Sequence, residues 1–158
     1  MNDALVLREM AEDDLPVLFE YQLQPEARRM AAFTPSDSED REAYLERWRK
    51  IIASDATVAQ TVLLDGRVIG MIGGFERDGE PEVTYWIGQE YWGRGLATRA
   101  LSLFLRRFEK RPLFARAARD NAASIRVLEK CGFVPWGEDK GFANARGEEV
   151  EEVIYRLE

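Results

Sequence analysis

The chain has 158 residues, 46% of them hydrophobic and 32% charged, with a formal net charge of −7. That length and balance fit one globular domain spanning 1–158 and exclude a disordered polymer, and the acidity argues against nucleic acid as a partner. There is one cysteine, Cys131, and no histidine, which excludes an internal disulfide, a Ser-His-Asp or Cys-His hydrolase and every histidine-ligated metal site.

In chain order, Ala4 to Arg8 reads as a short strand. Leu15, Leu18 and Phe19 then recur at helical spacing, with Asp13 and Asp14 at the helix start, where negative charge complements the dipole. Pro25, Thr34 and Pro35 bound a stretch expected to be irregular. A second helix carries Tyr44, Leu45, Trp48, Ile51 and Ile52 on one stripe. The period then changes. Thr57 to Leu64, Arg67 to Phe75 and Glu82 to Ile87 read as three antiparallel strands joined by the turns Asp65-Gly66 and Asp78-Gly79. Gly93-Arg94-Gly95 opens a helix with Leu96, Ala97, Ala100, Leu101, Phe104, Leu105 and Phe108 on its buried face. Leu113 to Ala118 is a strand, Asn121 caps another helix, and Gly132 stops it. Strands from Phe133 and from Val150 to Leu157 complete the chain. Antiparallel strands followed by strands separated by helices predict a mixed sheet with helices on its faces. No apolar run of about 18 residues occurs, so no helix is expected to span a membrane. The opening MNDALVLREMAEDD lacks the order of a leader peptide, and a cytoplasmic protein is expected.

The strongest local signal is Tyr85-Trp86-Ile87-Gly88-Gln89-Glu90-Tyr91-Trp92-Gly93-Arg94-Gly95-Leu96-Ala97, a strand, a glycine turn and a helix start. A helix N-terminus offers unpaired amides and positive potential, and glycine lets a ligand approach the backbone. Together they form a diphosphate cradle, to which Arg94 adds a charge. A glycine pair alone reads equally as a tight loop that needs glycine for its own geometry. Thr98 breaks the dinucleotide fingerprint, and no Gly-Lys-Ser/Thr follows, so the ligand is neither NAD nor a P-loop nucleotide.

A second motif, Arg119-Asp120-Asn121-Ala122-Ala123-Ser124 running on to Cys131-Gly132-Phe133, follows the next strand. The two motifs together resemble the GNAT superfamily of N-acetyltransferases, and more closely its ribosomal-protein N-terminal (RimJ/RimL-like) branch. The element order extends the resemblance over nearly the whole chain. It implies an α/β (mixed α+β) domain of GNAT type, with a central mixed, mostly antiparallel sheet splayed at the cofactor site and helices on both faces. It implies acetyl-CoA as cosubstrate and no metal. The backbone of Trp86, Ile87 and Gly88 would bind the pantetheine arm. The amides of Trp92, Gly93, Arg94, Gly95, Leu96 and Ala97 would hold the diphosphate, Asn121 would contact the arm from the other side, and Ser124 would lie near the sulfur. Glu90 stands where the superfamily motif has Gln or Arg and is expected to point away. Leu128 stands where many members carry a tyrosine acid, and Ser124, one helical turn earlier, is its expected substitute.

The implied chemistry is attack of a neutral amine on a thioester. An α-amine, with a pKa of about 7.7–8.0, is neutral far more often at pH 7 than a lysine side chain near 10.4. A chain without histidine therefore favours α-amines or other weakly basic amines. Glu82, at a strand start, is the best-placed carboxylate base; its competing reading is a solvated strand-end charge. A backbone amide near Ile87 would hold the oxyanion. Trp48, Trp86, Trp92 and Trp136 are candidates to wall an acceptor pocket or to fill the core. The alternative function is a non-catalytic acyl-CoA-binding sensor; a nucleotide-binding structural domain is a third. The expected assembly is a monomer or homodimer.

Overall fold

Two Asp-Gly turns organise the middle of the molecule. Asp65 and Gly66 have φ of 51° and 82°, and Asp78 and Gly79 have 53° and 83°, the left-handed pairs that tight hairpins require. They join β2 (Val58–Leu64), β3 (Arg67–Arg77) and β4 (Glu80–Ile87) into the expected meander. The computed structural model describes residues 4–158. Before the meander come β1 (Leu5–Glu9), α1 (Leu15–Leu23), α2 (Pro25–Ala31) and α3 (Arg41–Ala53); after it come α4 (Leu96–Arg107), β5 (Leu113–Ala118), α5 (Ala122–Lys130), β6 (Val134–Ala143) and β7 (Glu148–Leu157).

The seven strands form one sheet in the order β1-β2-β3-β4-β5-β7-β6. Every pairing is antiparallel except β4 with β5, which is parallel and holds at a single position, Glu82 opposite Phe114. Beyond Glu82 the two strands part, which is the splay that the resemblance implies. On one face, α4 and α5 bury Ala100, Leu101, Phe104 and Leu128 against Ile69, Ile72, Val83 and Leu113. On the other, α1 and α3 bury Leu15, Leu18, Phe19, Tyr44 and Leu45 against Met71. The alternation of Met71 and Ile72 along β3, one to each face, is the period-two rule of a strand covered on both sides.

One expectation needs correction. The stretch after Pro25 is not irregular throughout, because α2 runs from Pro25 to Ala31. Proline at a first helical position starts a helix rather than breaking one, and Glu-Ala-Arg-Arg-Met-Ala are helix formers. Asp14 stands at the start of α1 as expected and has partners beyond the helix. It is 4% exposed and accepts from both terminal nitrogens of Arg8 at 2.7 Å, from Thr61 Oγ1 at 2.7 Å and from Ala11 N at 2.9 Å. Burial works against its charge, but these donors outweigh burial and hold its pKa at about 2. Asp14 thus fastens β1, the start of α1 and β2 together.

Candidate active site

The parting of β4 and β5 opens a cavity of about 480 Å³, within the range of small-molecule sites. Its walls are the end of β4 at Tyr85, Trp86 and Ile87, the loop and first turn of α4, the outer side of α5, and α2. Trp92, Gly93, Gly95, Leu96, Ala97, Asn121 and Ser124 all line it. Two distant stretches of sequence are thereby brought to one place. Gly88 and Arg94 are not among the lining residues, and neither is Glu82.

Gly93 and Gly95 have φ of 78° and 72°. The tight-loop reading therefore holds at both, since L side chains rarely adopt this conformation. The cradle reading gains support as well, because a Cβ built on either glycine would meet no protein atom within 4 Å. Gly95 is the N-cap of α4 and offers no side-chain cap. The first helical hydrogen bond runs from Arg99 N to Gly95 O at 3.1 Å, so the amides of Leu96, Ala97 and Thr98 precede any helical partner. Such a terminus suits a diphosphate.

Not every amide expected to bind the coenzyme is available. Trp92 N donates to Gln89 O at 3.1 Å, and Gly88 N donates to Ile69 O at 2.8 Å. Both of these amides are already engaged within the chain. The Trp92 ring instead braces the strand end, its Nε1 donating to Ile87 O at 2.9 Å. Glu90 turns away as expected, accepting from Gln24 Nε2 at 3.2 Å, while Gln24 Oε1 accepts from Gln89 N at 2.8 Å. One glutamine at the α1–α2 junction thus fixes the approach to the glycine loop.

Asn121 performs two tasks. Its Oδ1 caps α5 by accepting from Ser124 N at 3.2 Å, and its Nδ2 donates to Met30 O at 3.2 Å. It ties α5 to α2 across the cavity. Ser124 meets a partner that the sequence did not single out for it: its Oγ lies 2.7 Å from the hydroxyl of Tyr85. Burial pushes the Tyr85 pKa up to about 12, against the opposing pull of the serine contact. Tyr85 stays protonated at neutral pH and can donate to Ser124, leaving the serine hydrogen free for another acceptor. Leu128, one turn on, is 1% exposed in the core and does not reach the cavity.

Glu82 lies outside this arrangement. It is neither solvated nor free, being 6% exposed and paired with Arg77 Nε and Arg116 Nε, both at 3.2 Å. Arg116 also binds Glu152 at 2.8 Å and Asp139 at 3.1 Å. Burial raises the Glu82 pKa and the two arginines draw it back. The cluster sits at the one position where β4 and β5 pair, and so pins the origin of the splay. Of the tryptophans, Trp48 and Trp86 border a second, smaller cavity, whereas Trp136 is 58% exposed on the edge strand with its ring edge-on to Phe114.

A sheet splayed beside a glycine-framed helix start, with a hydroxyl pair on the cavity wall, is the arrangement that the resemblance to coenzyme-A-dependent acyltransferases implies. The comparisons with known proteins agree. The model of the acetyltransferase (GNAT) domain matches residues 4–134, and the chain belongs to that family. It is an acetyl-CoA-dependent N-acetyltransferase. Among its relatives is YdaF of Bacillus subtilis, provisionally named a ribosomal N-acetyltransferase, 27% identical over 99% of this chain and 92% of that one. The N-acetyltransferase p20 of Bacillus licheniformis, itself uncharacterized, is 24% identical over 99% of this chain and 93% of its own. The fold is shared with the spermidine N-acetyltransferase of Vibrio cholerae, solved with CoA and spermine, at a TM-score of 0.80 and 21% identity over 96% of this chain and 95% of that one. Among the described residues, no helix is long and apolar enough to cross a membrane, and no group of side chains could hold a metal ion.

Proposed function

We propose that residues 1–158 form one catalytic unit that moves the acetyl group of acetyl-CoA to a primary amine, either a protein or peptide α-amine or a small amine, by direct attack. The observation that carries this reading is the Tyr85–Ser124 hydroxyl pair, 2.7 Å apart, at the wall of the cavity that the glycine loop closes. The amides of Gly93 to Ala97 hold the diphosphate, aided by Arg94. The backbone of Trp86 and Ile87 faces the pantetheine arm along the edge that β5 has left. As the amine nitrogen bonds to the acetyl carbon, the backbone amide at Ile87 receives the oxyanion. When the carbon–sulfur bond breaks, Ser124 passes its hydrogen to the sulfur and takes the Tyr85 hydrogen in turn, and the proton that the nitrogen sheds on becoming an amide returns to Tyr85 through solvent. Asn121 keeps Ser124 in place through the α5 cap. The amine acceptor is supported by the spermine of the Vibrio cholerae structure and by the name that YdaF carries. The reaction belongs in the cytoplasm, whose reducing conditions suit a lone thiol.

The test is release of free thiol from acetyl-CoA. Release should depend on added amine; binding of acetyl-CoA without amine-dependent release would establish the sensor alternative. A Glu82→Gln variant supplies a second arm. Glu82 is held by two arginines away from the cavity, so its pH–rate profile should overlay the parent's. A displaced acid limb would return Glu82 to the role of base.

A further inference from the structure

A second cavity, of about 150 Å³, lies between α1, α3 and the sheet. Trp86 lines both this cavity and the larger one. The smaller cavity is walled by Leu18, Tyr44, Trp48, Met71 and Trp86, with Gln22 and Arg47 among its polar members. Those polar groups already have partners. Gln22 Nε2 donates to Ser38 O at 2.9 Å, and Arg47 pairs with Asp37. Arg47 is the one charged residue among those lining the cavity. Its side chain is about a third exposed, which carries the lining to the surface. One buried donor is left over: the indole Nε1 of Trp86 has no hydrogen-bond partner among the described residues. Buried donors are nearly always satisfied, so this one calls for an acceptor atom.

We infer that this cavity selects the amine, and that the preferred acceptor is the α-amine of an aminoacyl amide or peptide whose first residue has a large apolar side chain. An apolar cavity of roughly 150 Å³ admits a benzene-sized group. A polycation finds nothing to pair with there, because no lining residue is Asp or Glu and the one charge is positive. A carbonyl beside an α-amine becomes the missing acceptor once the Trp86 ring turns its closed-off indole nitrogen toward the cavity. The position past Trp86 puts the amine at the thioester side of β4, opposite the coenzyme. This deepens the proposed function and rests on acetyl-CoA occupying the larger cavity.

The experiment compares phenylalaninamide, glycinamide and spermidine by thiol release, alongside acetyl-CoA affinity by calorimetry. Filling an apolar pocket of this size should favour phenylalaninamide over glycinamide by roughly ten- to a hundredfold in kcat/KM, with spermidine below both. Trp48→Ala removes one wall from a half-buried position. That variant should bind acetyl-CoA like the parent, and its preference for phenylalaninamide over glycinamide should drop by about tenfold. If acetyl-CoA binds and glycinamide or spermidine is turned over as well as phenylalaninamide, the inference is overturned while the acetyltransferase reading stands. An unchanged preference in a Trp48→Ala protein that still binds acetyl-CoA overturns it too. If no acetyl-CoA binds, the reading of the larger cavity falls, and this inference falls with it.

Discussion

Ser124→Ala should release thiol roughly a hundredfold more slowly at saturating substrates, the lower end of what a positioned acid contributes. Its acetyl-CoA affinity should stay within about threefold of the parent, because a hydrogen bond made to the departing sulfur is a transition-state interaction. Tyr85→Phe isolates the other half of the pair. Without the phenol, the Ser124 hydroxyl loses the donor at 2.7 Å that fixes it and is free to turn its hydrogen elsewhere. Turnover should then fall by about tenfold, with KM little altered. The two substitutions act on one proton path, so the double variant should be no slower than Ser124→Ala alone. Steady-state thiol release, under conditions where chemistry limits the rate, is the measurement. Parental turnover in Ser124→Ala would make the pair a packing contact between β4 and α5.

Gly95→Val should weaken acetyl-CoA binding by more than about tenfold, since the side chain would occupy the cradle, and the left-handed backbone adds a strain of roughly 1–3 kcal/mol to the folded chain. A Cβ there meets no protein atom within 4 Å, so the new side chain displaces ligand rather than core. The displaced ligand should show in calorimetric affinity, and the strain should lower the melting temperature as well. Gly93→Val, with φ of 78° at the parent position, should behave alike. Unchanged affinity in a folded variant of either kind would remove the loop from the coenzyme site.

The elements legible in the sequence were those set by local chemistry. The Asp-Gly hairpins, the Asn121 cap and the Gly132 stop each depend on a few neighbouring residues, and each stands where the residues put it. The glycine loop belongs to the same class. What the sequence concealed depends on meetings across distance. Tyr85 and Ser124 are 39 residues apart, and only the parting of β4 from β5 brings their hydroxyls together. Glu82 looked like a solvated end charge or a base because its arginines come from β3 and β5. Asp14 was legible as a helix-start charge, but its partner Arg8 approaches from β1. In each case the residue type was visible, but the partner that decides its role was not.

The central claim is that acetyl-CoA lies in the splay with its thioester at the Tyr85–Ser124 pair. A crystal structure of the full chain with coenzyme A tests it most directly. The diphosphate is expected on the amides of Gly93 to Ala97 and the coenzyme sulfur within hydrogen-bond reach of Ser124 Oγ. A coenzyme bound with its sulfur away from Ser124, or with its diphosphate elsewhere than the start of α4, would contradict it.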